Sequence, residues 1–232
     1  MRTLEVGSRT DRGRRRRQNE DAILACSKKS PSGKPGSIFL LAVADGMGGA
    51  AGGRVASVEA IRVLAEEFDR YAGDDPGEFL LEAFSKANAG VRRLAQQEPR
   101  LHGMCTTLVA AVVAQEQAWV ANVGDSRAYL MRAGHAQRLT EDHSLVAEQV
   151  RAGQMTENEA AASPQRNIIT RCIGSDETVS VDLFPPLDLQ ANDALLLCSD
   201  GLSGMVSDDE MAATCSKASP TEAANQLVDM AN

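Results

Sequence analysis

The chain is 232 residues long, 43% apolar and 24% charged, a length and balance that suit one substantial domain with a buried core. Its net charge of −8 excludes a general nucleic-acid binder, which needs a basic surface. No apolar run approaches the ~18 residues of a membrane span, and no signal-peptide segment opens the sequence, so a soluble protein of the cytoplasm is expected.

Residues 4–9 alternate weakly and predict a first strand; after the arginine-rich stretch 11–21, residues 22–27 predict a second. The Ser-, Pro-, Gly- and Lys-rich run 28–37 predicts a solvated turn. The short apolar run 38–44, followed by glycines, predicts a strand covered on both faces. Two amphipathic helices follow. In the first, Val55, Val58, Ile61, Leu64, Phe68 and Tyr71 recur at three- and four-residue steps. In the second, Phe79, Ala83, Ala87, Val91 and Leu94 do the same, between Pro76 and Pro99. Strands are predicted at 107–114, 118–123 and 126–132, with Ala133-Gly134 turning into a fourth near 137–139. The period then changes, and residues 143–152 and 156–162 predict two short helices in a polar excursion. Strands resume at 179–184 and 194–199, and helices close the chain at 207–214 and 219–231, the last opening on Ser219-Pro220.

Strands, two helices, strands, then helices predict an α+β fold: two packed antiparallel β-sheets flanked by helices. Residues 1–232 are expected to form one domain, with 140–175 an insertion on it. The five cysteines are spread without a CxxC pair, so reduced thiols are expected rather than a zinc site or a disulfide framework. No two of the histidines His102, His135 and His143 have metal-ligand spacing.

Four short segments share one design, an apolar strand running into a turn that holds an acid. They are Gln18-Asn19-Glu20-Asp21, Asp45-Gly46-Met47-Gly48-Gly49, Val123-Gly124-Asp125-Ser126-Arg127 and Ser199-Asp200-Gly201. An acid at a strand end is held by a rigid scaffold while its oxygens face outward, and adjacent glycines let backbone approach closely. Carboxylates, carbonyls and waters are hard donors that suit Mg²⁺ or Mn²⁺ better than Zn²⁺. The spacing by itself supports a hard-metal site and no more.

The ordered series Arg16-x-x-Asn19-Glu20-Asp21, Asp45-Gly46-Met47-Gly48-Gly49, Thr106-Thr107, Asn122-Val123-Gly124-Asp125-Ser126-Arg127 and Ser199-Asp200-Gly201 resembles the motifs of the metal-dependent protein phosphatase family, PPM or type 2C, in its bacterial form. The segments 139–144 and 167–171 resemble the flap region of bacterial members. The resemblance implies an α-β-β-α sandwich and a protein serine/threonine phosphatase that uses two paired Mn²⁺ or Mg²⁺ ions, with a third, weaker one. It implies that Asp45 bridges the pair, that the Gly46 carbonyl lies on one ion and Asp200 on the other, and that Glu20 and Asp21 bind metal directly or through water. Asp125 with Asp200 would hold the third ion, and Arg16 would grip the substrate phosphate. A metal-bridging water would attack phosphorus in line with the serine or threonine oxygen, its pKa lowered by two ions roughly 3.5–4 Å apart. On this resemblance Asp45 and Arg16 are the catalytic residues and no cysteine is needed.

Two departures stand out. Many eukaryotic members carry a histidine after Asp-Gly, where this chain has Met47, so leaving-group protonation falls to water or another group. The family also has a Gly-rich Asp-Asn motif and a last strand after the helix that ends near Asn232; without that further Asp, weak binding of one paired ion is expected. The implied partners are phosphorylated proteins, substrates of a serine/threonine kinase, met by a monomer that binds neither nucleic acid nor membrane. Two alternatives stand beside this expectation: a weak or silent phosphoprotein-binding module of the same fold, and a phosphatase dedicated to one phosphoserine protein in stress signalling. In the run Arg14-Arg15-Arg16-Arg17, only Arg16 is expected to make a specific contact.

Overall fold

The computed structural model describes residues 4–30 and 36–232; the turn expected between the first two strands falls largely at 31–35, outside the described residues. In chain order the elements are β1 (Asp21–Lys29), β2 (Ser37–Met47), α1 (Gly49–Arg70), α2 (Pro76–Gln97), β3 (Cys105–Thr106), β4 (Leu108–Ala114), β5 (Gln117–Val123), β6 (Arg127–Arg132) and β7 (His135–Arg138). There follow α3 (Leu145–Arg151), α4 (Glu157–Ala162), β8 (Asp182–Asp188), β9 (Ala194–Cys198), α5 (Asp200–Ser203), α6 (Asp208–Cys215) and α7 (Pro220–Ala231). The larger sheet has the order β1-β2-β4-β5-β8, with β3 added to the end of β2, and the smaller has β7-β6-β9; every pairing is antiparallel.

The two-residue period of the strands distributes the core into three layers. On one face of the larger sheet Leu40, Ala42, Leu108, Ala110, Val112 and Ala121 are buried against α1 and α2, which contribute Ala56, Ala60, Leu64, Phe68, Leu80, Phe84 and Val91. The alternate residues Val109, Ala111 and Val120 face the smaller sheet, meeting Ala128, Leu195 and Leu197. The far face of that sheet, with Tyr129 and Met131, packs on Met211 and Ala212 of α6 and Leu227 of α7. This is the expected helix–sheet–sheet–helix order. The helix starts are chemically marked: Asp75 accepts from the N–H groups of Gly77 and Glu78, and Ser207/Glu210 and Ser219/Glu222 form reciprocal capping boxes.

Residues 4–9 form no strand. Alternation predicts a face but not a neighbour, and this segment has no ladder partner among the described residues; it is held instead through Arg9, which donates to the Asn225 carbonyl (3.0 Å) and pairs with Asp229 (2.8 Å) on α7. The strand expected at 179–184 lies later, at β8, whose Pro185 and Pro186 are tolerated because β8 is the edge of its sheet. The helix α5, four residues long, was too short for any period to announce. Among the described residues no helix is long and apolar enough to cross a membrane.

The excursion after β7 leaves and returns on a common stalk. His143 N–H donates to the Gly124 carbonyl, Leu145 N–H to Ile168, Thr170 N–H to His143, and Thr106 and Ile173 exchange both backbone bonds. The two short helices α3 and α4 lie beyond it.

The junction of β2 with α1 is the closest backbone approach near the strand ends. A Cβ on Gly46 would stand 1.9 Å from the Gly53 carbonyl oxygen, a separation no side chain tolerates. Gly46→Ala is therefore expected to destabilise the metal-free protein by on the order of 3 kcal/mol, since the obstacle is backbone and cannot rotate away. Urea unfolding in EDTA measures it, and an unchanged midpoint refutes this account of the junction.

Candidate active site

The β1–β2 ladder sets Asp21 directly opposite Asp45, at the end where both strands leave the sheet. Side-chain and backbone hydrogen bonds then hold each acid-bearing turn. Asn19 Oδ1 accepts from the Asp21 N–H (3.1 Å). The Asp45 N–H donates to Thr107 Oγ1 (2.9 Å), and the Asp45 carbonyl accepts from Thr107 N–H (2.9 Å) and Thr106 Oγ1 (2.8 Å). Thr107 Oγ1 is also bonded to Ser126 Oγ (2.7 Å), so the turn carrying Asp125 shares a hydroxyl with the turn carrying Asp45. Asp200 opens α5 immediately after β9, and its neighbour Ser199 donates to Asp21 Oδ2 (2.8 Å), tying the smaller sheet to the larger one at the acids.

Gly124, with φ of 108°, has its N–H donating to His143 Nδ1 at 3.0 Å. The ring proton then sits on Nε2, 3.1 Å from Asp182 Oδ2. Burial lowers the His143 pKa, with Asp182 opposing, so the neutral ring that can accept from Gly124 is favoured. His143 thus fixes the backbone beside Asp125 from within the excursion. Arg127, part of the same motif, is spent structurally: its Nε and Nη2 fork onto Asp142 at 3.0 and 2.7 Å.

Asp21, Asp45, Asp125, Asp200, Glu20 and Arg16 all line one broad cleft. Asp45 is the most compromised of them. Burial, followed by the charges of Asp21 and Asp200, pushes its carboxyl up to about 9, and it lies in hydrogen-bonding contact with both. Burial raises Asp21 as well, against the bonds from Ser199 and Asp45. Asp125 is pushed up to about 7 by burial and then by Asp200 and Asp142. Buried like charges in this arrangement call for cations.

Arg16 is the positive group at the rim. Its Nη1 donates to Glu20 Oε2 at 2.7 Å while 56% of its side chain stays exposed, leaving part of the guanidinium fork free. Burial opposes its charge, but Asp45, Glu20 and Asp200 raise its pKa. Arg14, Arg15 and Arg17 are exposed.

The donors fit a hard cation in one specific place. Beside Gly53 the Gly46 carbonyl oxygen and Glu20 Oε1 come together, 2.6 and 3.0 Å from where a Cβ on that glycine would stand, and both are hard oxygen donors. Among the described residues no three acids already surround a common point as their side chains stand; they meet in pairs about Asp45. The five acids singled out from the sequence thus line the cleft, and Gly46 stands next to Asp45 against Gly53. Thr106, Thr107, Asn19 and Ser199 lay inside the quoted motifs without a role; a hydroxyl or amide next to a strand-end acid was the available signal. His143 lay inside the flap-like segment 139–144 without a role, and nothing in the sequence joined it to Asp182, 39 residues away.

Raised carboxyl pKa values in the native state have a definite consequence. The unfolded chain releases these protons near the ordinary carboxylate value, the folded one only towards about 9 for Asp45 and about 7 for Asp125. The stability they allow is fully present below pH ~4 and is lost as pH rises to ~9. In EDTA the urea midpoint is expected to fall from pH 5.5 to 8.5, and Asp45→Asn to flatten that fall; equal slopes in the two proteins would contradict the assignment.

The sequence family described as protein phosphatase 2C matches residues 6–150. The serine/threonine phosphatase stp of Listeria innocua serovar 6a is 40% identical over 231 residues, covering 97% of this chain and 88% of that protein. Among solved structures, the serine/threonine phosphatase of S. agalactiae is similar at a TM-score of 0.90 and 34% identity, covering 98% of this chain and 93% of that one. The catalytic domain of the phosphatase PstP, in complex with two manganese ions, has a TM-score of 0.81 at 35% identity, over 96% and 89% of the two chains. The matched sequence carries Arg16, the Asp21–Asp45 pair and Asp125, and the superposed fold carries Asp200 to the same cleft. The chain belongs to the protein phosphatase 2C family.

Proposed function

We infer that this chain is a metal-dependent protein serine/threonine phosphatase. The observation that carries it is the convergence of Asp21, Asp45 and Asp200, with Asp45 buried and pressed by the charges of the other two, and the guanidinium of Arg16 at the mouth of the same cleft. Its cofactor is Mn²⁺ or Mg²⁺, manganese being the ion in the PstP complex. When bound, the ions supply a water made acidic enough to be a nucleophile near neutral pH and positive charge for the phosphoryl oxygens.

The residues divide this work as follows. Asp45, central among the acids, would be shared between two ions. The Gly46 carbonyl and Glu20 would complete one of them across Gly53, and Asp200 the other, with Asp21 acting directly or through water. Asp125, nearer Asp200, would hold a third. Arg16 would present its free N–H groups to two phosphoryl oxygens, a planar fork that matches phosphate. Its ion pair with Glu20 keeps the fork at the cleft while leaving one edge open. Met47 follows Gly46 and carries no proton to give, so the leaving oxygen takes its proton from water or another group.

The substrates are phosphoproteins. We further propose that they are products of a serine/threonine kinase, that the chain acts as a cytoplasmic monomer, and that residues 140–175 form a substrate-facing flap. The flap reading is supported by the lining of the cleft, which includes Val146, Arg151 and Arg166 beside the acids. The intact acids at 20, 21, 45, 125 and 200 favour a phosphatase over a silent binding module.

Hydrolysis of p-nitrophenyl phosphate with Mn²⁺ is expected to vanish in EDTA and to fall at least about 100-fold in Asp45→Ala and Asp200→Ala. Arg16→Ala should lower kcat/KM by about 10-fold or more, the worth of a charge-assisted bond to phosphate. Turnover without metal, or full activity of both aspartate variants, would end this assignment.

A further inference from the structure

Two of the five cysteines meet in space, although they are 67 residues apart in sequence (172 less 105). Thr106 and Ile173 form an isolated antiparallel bridge and exchange both backbone hydrogen bonds, at 3.0 and 2.8 Å. Cys105 precedes the one and Cys172 precedes the other. In an antiparallel pair such residues project to the same face as diagonal neighbours, within side-chain reach. Each thiol is the other's leading perturbation, Cys105 being pushed up and Cys172 down chiefly by its neighbour.

Both thiols stand on rigid supports. Cys105 is paired with Met47 in the β2–β3 ladder. The turn after Cys172 is pinned to α2: Asn88 accepts from Gly174 N–H (2.7 Å) and donates to the Asp176 carbonyl (3.0 Å), while Arg92 donates to the Ser175 carbonyl (3.2 Å). Both are half-buried, reachable by a small oxidant, whereas Cys198 is buried. The mechanism of hydrolysis uses neither.

We propose that Cys105 and Cys172 are a peroxide-sensitive dithiol, a modification site that closes to an intramolecular disulfide. Cys105 lowers the pKa of Cys172, and Cys172 in turn holds the proton on Cys105, so the two thiols differ in reactivity. The Cys172 thiolate attacks hydrogen peroxide, forming the sulfenic acid and, after protonation, one water. The Cys105 sulfur then attacks the Cys172 sulfur, losing its proton as the sulfenic oxygen leaves as a second water. Two thiols and one peroxide become one disulfide and two waters; the sulfurs give up two electrons, which the O–O bond takes.

The test is a peptide map of the full chain after brief treatment with hydrogen peroxide at neutral pH and quenching by alkylation. The expected product is a peptide pair joined through Cys105 and Cys172, with loss of two hydrogens, reversed by dithiothreitol, while Cys26, Cys198 and Cys215 remain alkylatable. In Cys105→Ser the bond is absent and dimedone traps a sulfenic acid on Cys172 at least about 10-fold faster than on Cys26. Free thiols at both positions after treatment, separate over-oxidation, linkage to another cysteine, or equal dimedone labelling of Cys172 and Cys26 would each overturn the proposal. None of these readouts depends on phosphatase activity.

Discussion

Asp21 and Asp45 face each other across an antiparallel ladder, and Asp200 is brought against them from the other sheet. Three carboxylates so placed repel, and burial denies Asp45 the water that would otherwise screen the repulsion. The fold answers by keeping the proton on Asp45, whose carboxyl burial and its acidic neighbours push up to about 9. The neighbouring structure serves to prevent the alternative, in which the acids swing apart. Thr106 and Thr107 hold the Asp45 backbone, Ser199 holds the Asp21 carboxyl, and the backbone contact of Gly46 with Gly53 stops β2 from shifting against α1. The site is thus under electrostatic tension before any ion arrives, and an ion relieves what the fold imposes.

The support is economical in its chemistry. Small hydroxyl and amide side chains bond to backbone near each acid and leave most carboxylate oxygens free. Larger cations are kept out of the centre: Arg127 is neutralised by Asp142, and Arg132 by Asp193 at 2.6 Å, both away from the paired acids. Arg16 alone among the residues singled out for the site brings positive charge to them, and it does so from a side chain with half its surface in solvent. A guanidinium deeper in the cleft would compete with metal for the same carboxylates.

Much of the fold was legible because its elements are long and patterned. The runs that became β2 and β4 are short, continuously apolar and covered, α2 buries the face its period displays, α1 does so except at the exposed Val58, and Ser219-Pro220 announced α7. Residues 4–9 misled because alternation carries no information about a partner strand. Pro185 and Pro186 hid the later part of β8, since proline argues against a strand, and a four-residue helix such as α5 has no period to read. In the site, Asp45 and Asp200 stood out because acids and glycines follow strongly apolar strands. His143 did not, since its function is defined by Gly124 and Asp182, which approach it only after the chain has folded back. The meeting of Cys105 and Cys172 is hidden for the same reason.

The stalk of the excursion separates two kinds of change. Its paired stems, from His143 and Ser144 to Ile169, Thr170 and Ile173, are fastened to Gly124 and Thr106, whereas α3 and α4 hang beyond them. Because the ends of that segment are already held together, its length and surface can drift at little entropic expense. On the flap role proposed for residues 140–175, descent with modification can rewrite which phosphoproteins are recognised while the carboxylate frame stays still, making partner choice the evolvable part of the molecule and hydrolysis its inherited constant.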